Sequence, residues 1–158
     1  MSTRMKIAVA CYVLGGAIGL FMFGRYWAAD RFMPYHAIAS GTAWEAVAPG
    51  LQLVVLALLK AAAAGFLTGG VVALMLIVPI VHGENWARWT ALVASAALLV
   101  PLLYVTVSIR LATGAPSPVA AAAVALALAI VGFVAARMPK RSAAGSAGYD
   151  PRVELRRS

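Results

Sequence analysis

The sequence predicts an all-α transmembrane four-helix bundle, and three observations support this fold class. Of 158 residues, 63% are hydrophobic and 11% are charged, whereas soluble domains carry about 25% charged residues. Uncharged apolar blocks recur at the length of roughly 17–25 residues that a helix needs to cross about 30 Å of hydrocarbon: residues 7–24, 61–81, 89–109 and 119–136. The blocks do not alternate as barrel strands do, and helices satisfy their own backbone groups in lipid.

The first span, residues 7–24, follows Arg4 and Lys6 and could be mistaken for a signal peptide. Its apolar run is longer than the usual 7–15 residues of such a segment, and no small-residue cleavage site follows it. We therefore expect a retained membrane anchor. Cys11, the single cysteine, lies within this span and cannot form an internal disulfide.

The connection between spans 1 and 2, residues 25–50, is long for so small a protein, which predicts structure or function of its own. Its "TAWE" segment fits a capping box in which Thr42 caps a short helix and Glu45 reaches back. The aromatic residues of this outer loop favour the headgroup layer: Tyr26, Trp27, Tyr35 and Trp44. The loop is therefore expected to lie on the membrane surface.

Span 2 raises the question of a lysine inside an apolar run, "LALLKAAAAGFLTGG". Counting back from the inner end near Val81 places Lys60 about 31 Å away, at the outer edge of the hydrocarbon. There its ammonium can reach the headgroups at little cost. Because residues 51–59 continue the apolar run, the alternative is a covered Lys60 paired with Asp30 or Glu45, which would mark a functional site.

The connections around spans 3 and 4 are short. Gly83 is expected to end span 2 and Asn85 to cap span 3. Ser117 is expected to cap span 4, with Pro118 at its first helical position. Two prolines inside the spans predict bends: Pro79 and Pro101.

Small residues at four-residue spacing predict where the helices approach closely, since packing must replace the hydrophobic effect in lipid. Span 1 carries one such series and span 2 another: Cys11, Gly15 and Gly19, then Ala61, Gly65, Gly69 and Ala73. The sequence therefore predicts tight packing of spans 1 and 2.

The positive residues predict orientation in a bilayer, which is the expected partner instead of nucleic acid. If all four blocks cross, nine Lys and Arg side chains lie on the side of the termini and four on the other, out of 13. Both termini are then cytoplasmic, as in a multi-pass bacterial inner-membrane protein. Residues 138–158 are expected to form a disordered basic tail, with contact to anionic lipid as a further possibility.

Motifs for chemistry are scarce. HExxH, CxxC and Gly-rich phosphate motifs are missing from the sequence, and none of its acidic residues lies inside a span, which argues against a proton-coupled carrier. No cofactor is expected. The weak catalytic candidates are outer polar residues, Asp30, His36, Glu45 and Lys60. Met33 and His36 are weak copper ligands, because two are too few for a site.

Three segments, "GENWARW", "PYHA" and "TGAP", resemble parts of uncharacterised small four-span bacterial membrane proteins. The resemblance spans most of residues 25–118. It implies an architecture, and it carries over neither an activity nor catalytic residues.

These observations favour an accessory or scaffold subunit without chemistry of its own, with another membrane protein as its partner. Two alternatives stay open. A transporter or channel would need a polar path, for which the candidates are Lys60, Thr68, Ser95, Tyr104 and Thr106. A membrane enzyme or metal protein would use the outer-loop residues.

Overall fold

The computed structural model describes residues 1–137, and this part of the chain is helical without strands. The tail predicted at 138–158 lies outside the described residues. The helices are α1 (Thr3–Trp27), α2 (Pro34–Ser40), α3 (Pro49–Met75), α4 (Ile77–Val81), α5 (Asn85–Thr113) and α6 (Val119–Ala135), with a 3₁₀ turn at Trp44–Ala46.

The all-helical class is confirmed, and three helical segments are long and apolar enough to cross a membrane. They are α1 with 25 residues, α3 together with α4 over Pro49–Val81 with 33, and α5 with 29. Helix α6 is equally apolar but shorter, with 17 residues.

The two prolines act differently on their helices. Pro79 has no N–H to donate to the carbonyl of Met75, and α3 ends at that residue before α4 begins at Ile77. The Leu76 and Ile80 N–H groups still donate to carbonyls four residues back, so span 2 continues through a one-residue interruption at the predicted position. Pro101 lies inside α5, which continues without interruption to Thr113. Gly114, at φ 69°, ends α5 because glycine adopts this left-handed conformation without a steric penalty.

The long helices pack in a ring. Helix α1 lies against α3 and α6, and α5 lies against the same two helices from the other side. One apolar cluster closes the end near the N-terminus, around Met5, Tyr12, Ile80, Ala87 and Ala136. A second closes the opposite end, around Tyr26, Met33, Leu59, Ala63 and Phe66.

Helices α1 and α3 meet backbone to backbone, as the glycines predict, but through a different set. A Cβ on Gly70 would lie 3.0 Å from the carbonyl oxygen of Gly16, and one on Gly19 would lie 3.1 Å from that of Phe66. Gly19 was predicted at this contact, whereas Gly16 and Gly70 were not. On α1 the contact residues Gly16 and Gly19 are three apart, and on α3 Phe66 and Gly70 are four apart. Rows of residues at both spacings form the ridges through which two helices pack.

The other predicted packing residues face elsewhere. Gly65 and Gly69 lie against Leu98 of α5, and Cys11 lies against Gly132 of α6. Gly15 has open space where its Cβ would be. Ala73 lines a cavity between the helices, and Ala61 is exposed on the outer face of α3.

Three predicted helix caps are wrong. Thr42 bonds back to Ser40, and a 3₁₀ turn rather than an α-helix follows it. Glu84, not Asn85, is the N-cap residue of α5. The Ser117 hydroxyl donates to the carbonyl of Thr106 on α5 at 2.7 Å, so it joins two helices instead of capping α6.

Candidate functional site

Lys60 holds the end of helix α1. Its ammonium donates to the carbonyl oxygen of Trp27 and, at 2.9 Å, to that of Ala29. The ammonium also lies 5.6 Å from the centre of the Trp27 ring. The last carbonyls of a helix have no partner within the helix, and a cation there complements the negative end of its dipole. Lys60 is therefore a tertiary C-terminal cap.

The two outer carboxylates pair with an arginine and not with Lys60. Arg31 lies 3.4 Å from Asp30 and 3.9 Å from Glu45, measured between nitrogen and oxygen. All three side chains are more than half exposed. Exposed pairs of this kind contribute little to stability, about 0–1 kcal/mol. The alternative in which Lys60 pairs with Asp30 or Glu45 is not observed in the structure, where Lys60 binds two backbone carbonyls.

Met33 and His36 are held by aromatic and apolar neighbours. Met33 is buried in the apolar cluster with Tyr26 and Phe66. The His36 ring lies 4.2 Å from that of Tyr35, and burial lowers the pKa of its imidazole. Among residues 1–137, His, Cys, Asp and Glu do not gather in any group of three that could hold a metal ion.

A hydroxyl pair ties α2 to α1 in the same layer. The Tyr26 and Tyr35 oxygens are 2.7 Å apart, and the Phe66 ring packs edge-on against Tyr26. Burial and this hydrogen bond raise the pKa of the Tyr35 phenol, because both disfavour the phenolate. The pair keeps both hydroxyls satisfied at the end of the apolar cluster.

The residues proposed for a polar path do not line one. The hydroxyls of Thr68 and Thr106 bond back to carbonyls of their own helices, and Tyr104 is 74% exposed on the outside of the ring. Of the five, Ser95 lines the cavity between α1, α3, α5 and α6.

That central cavity is mostly apolar and has a volume of about 70 Å³. Its walls are lined by small residues from all four helices, among them Gly15, Gly69, Ala73, Ala121 and Ala125. Gly15, Gly69 and Ala73, predicted as contact residues, therefore also leave space at the centre of the ring. The polar residues in its lining are Tyr12, Tyr26 and Ser95.

A second cavity, of about 150 Å³, lies at the end of the molecule near the N-terminus, beside the turn between α4 and α5. Arg88 lines it and donates to the side-chain oxygen of Asn85 at 2.6 Å. The sequence analysis counted Arg88 only as an orientation signal. The signal that could have identified it is the pair Asn85 and Arg88, three residues apart and therefore neighbours on one helical face.

The polar side chains of the segment between α1 and α3, together with Lys60, bind helix ends and one another. The four weak catalytic candidates bind different partners. Lys60 binds backbone carbonyls, Asp30 and Glu45 pair with Arg31, and His36 packs edge-on against aromatic rings. No protein family model, curated protein or solved structure matches this chain.

Proposed function

We propose that the protein is an accessory or scaffold subunit of a bacterial inner-membrane assembly and binds another integral membrane protein. In this proposal α1, α3 with α4, α5 and α6 all cross the bilayer. Both termini lie in the cytoplasm, since the side of the termini carries nine of the 13 Lys and Arg residues. The segment between α1 and α3 then forms the outer surface.

The membrane levels follow from two contacts. Lys60 lies level with the end of α1 because it binds the Trp27 carbonyl. Ile80 and Met5 share the apolar cluster at the other end. The chain from Lys60 to Ile80 therefore covers about 30 Å at 1.5 Å per residue, which matches the hydrocarbon thickness.

The observation on which the proposal depends is the part of α3 that precedes Lys60. At 1.5 Å per residue, Leu51 stands about 14 Å beyond Lys60 and thus outside the hydrocarbon. One side of this segment is covered, because Val55 and Leu59 pack against the outer cluster. The other side is open and apolar, with Leu53 71% exposed and Leu58 64% exposed.

The exposed face identifies the kind of partner. Beyond the bilayer, an apolar surface faces water, and covering one large aliphatic side chain is worth about 1.5–3 kcal/mol. The same exposed face of α3 continues through Ala57 to the level of Lys60, and then through Ala61 to Val71 within the hydrocarbon. A partner that covers it along its length must cross the membrane itself, and must also rise above it.

Site-specific photocrosslinking in membranes tests this function. A photoreactive residue at Leu53 is expected to give one protein adduct of defined mass. The matched control is Val131 of α6, which is 48% exposed on a helix that packs mainly against α1 and α5. It is expected to give lipid adducts. Lipid adducts alone at both positions, or an adduct of twice the chain mass, would contradict an accessory role.

A further inference from the structure

Arg88 carries a positive charge and forms no ion pair within residues 1–137. Its side chain is half-buried, with its guanidinium 4.9 Å from the ring centre of Phe133. Within residues 1–137, carboxylates form ion pairs with Arg31 and none lies within 4.0 Å of Arg88. The Asn85 oxygen is the acceptor that it binds, and its Nε is buried without a hydrogen-bond partner.

The charge borders an open space. The 150 Å³ cavity is lined by Arg88 and Asn85 with Ile80, Gly83, Glu84 and Ala136. Helix α5 begins at Asn85, so the partial positive charge of its first turn adds to that of the guanidinium. Arg137 approaches the Phe133 ring as well, at 5.8 Å. Two guanidinium groups thus share one aromatic ring beside the cavity.

Partial burial of a cation without a paired counter-ion is unfavourable. A guanidinium offers five donors that match the oxygens of a phosphate. We propose that this cavity is a phosphate-binding site that takes the headgroup of an anionic phospholipid. The stacking on Phe133 and the bond to Asn85 hold the guanidinium in a fixed orientation, which favours a bidentate contact. The site is independent of the partner proposed above, and its assignment to a lipid rests on the membrane orientation proposed there.

The surroundings favour a lipid over a free phosphate. Trp86 and Trp89 are exposed at the start of α5, as tryptophans at a headgroup layer are. Exposed apolar side chains on the two helices that end at the cavity, Val78 of α4 and Val134 of α6, are suited to contact with acyl chains. Basic pockets between membrane helices at the cytoplasmic side suit anionic headgroups. Glu84 is the one acidic residue of the lining, and its repulsion weakens the binding of an anion.

Lipid titration of the purified full chain in detergent, followed by native mass spectrometry, tests the site. Phosphatidylglycerol is the anionic probe and phosphatidylethanolamine the zwitterionic one. Arg88→Gln is expected to weaken retention of phosphatidylglycerol about tenfold or more, because a charge-assisted hydrogen bond is lost. Arg88→Lys is expected to retain phosphatidylglycerol more strongly than Arg88→Gln and less strongly than the wild type. Glu84→Gln is expected to bind this lipid more tightly than the wild type.

Arg4→Gln is the matched control, since it removes one exposed positive charge from the same end of the molecule. It is expected to change retention less than twofold. Competition by glycerol 3-phosphate or inorganic phosphate as strong as by the lipid would support the phosphate site and assign it to a soluble anion. Equal weakening by Arg88→Gln and Arg4→Gln would overturn the proposal. If Arg88→Gln does not fold, an unchanged affinity in Glu84→Gln would overturn it.

Discussion

Lys60 shows how one side chain resolves two structural problems at the end of α1. The lysine needs a polar environment, and the end of α1 needs donors for its free carbonyls. Binding the carbonyls of Trp27 and Ala29 satisfies both. The contact also joins two chain segments about thirty residues apart, so it fixes the end of α1 against α3.

Replacing Lys60 with methionine is expected to reduce the free energy of unfolding by about 1.5–3 kcal/mol, the usual value of hydrogen bonds to a charged group. Denaturant unfolding in detergent measures it. Lys60→Arg keeps the charge and donors and should recover most of the loss. Lys6→Met, at an exposed lysine, should change stability by less than about 0.5 kcal/mol. Equal effects of the two methionine variants would show that the carbonyl contacts do not stabilise the fold.

His36 makes the outer layer sensitive to pH. Burial holds its folded pKa below the ordinary 6.5, so the unfolded chain binds its proton more readily. By linkage, the contribution of neutral His36 to the free energy of unfolding is complete above pH 6.5 and declines as the pH falls below that value. The thermal midpoint, measured from about pH 8 to pH 5, should fall on the acid side.

His36→Gln should flatten this profile, because the glutamine does not titrate. His82→Gln, at an exposed position near the other end, should retain the wild-type slope. A slope that persists in His36→Gln but is lost in His82→Gln would assign the pH dependence to the wrong end of the molecule and contradict the prediction.

At the scale of the elements, the pairing of α1 with α3 depends on glycines at one crossing. The backbones come so close that a side chain on Gly70 would meet the Gly16 carbonyl at 3.0 Å and the Leu20 nitrogen at 3.2 Å. Backbone atoms cannot rotate away as a side chain can. The helices would have to separate, which would also disturb the neighbouring contact at Gly19.

Gly70→Ala is therefore expected to lower stability by about 1–3 kcal/mol, the range for overpacking a close contact. Gly15→Ala is the matched control, since its Cβ would enter open space. It should leave stability unchanged or raise it by up to about 1 kcal/mol, because alanine favours the helix. Thermal unfolding of both variants in one detergent distinguishes the two positions. A destabilised Gly15→Ala with an unaffected Gly70→Ala would place the α1–α3 contact on the predicted face after all.

At the scale of the whole molecule, the two ends differ in kind. One end has a folded segment, α2 and the 3₁₀ turn, whose polar groups bind one another. It leaves one face of α3 apolar beyond the level of Lys60. The end near the N-terminus instead leaves a cation beside a cavity. The first feature carries the proposed protein partner, and the second carries the proposed phosphate site.

The sequence by itself determined the membrane class and the approximate positions of the helices, because apolar length is a local property of the chain. It also indicated that α1 and α3 approach closely, since glycine removes the side chain that keeps helices apart. The tertiary structure decided which glycines meet, because that depends on the crossing of two helices. It also decided what Lys60 binds, because its partners are backbone carbonyls on a distant segment and any residue type supplies those. Arg88 differs from the other basic residues for the same reason: only the packing of α4, α5 and α6 leaves a cavity beside its charge.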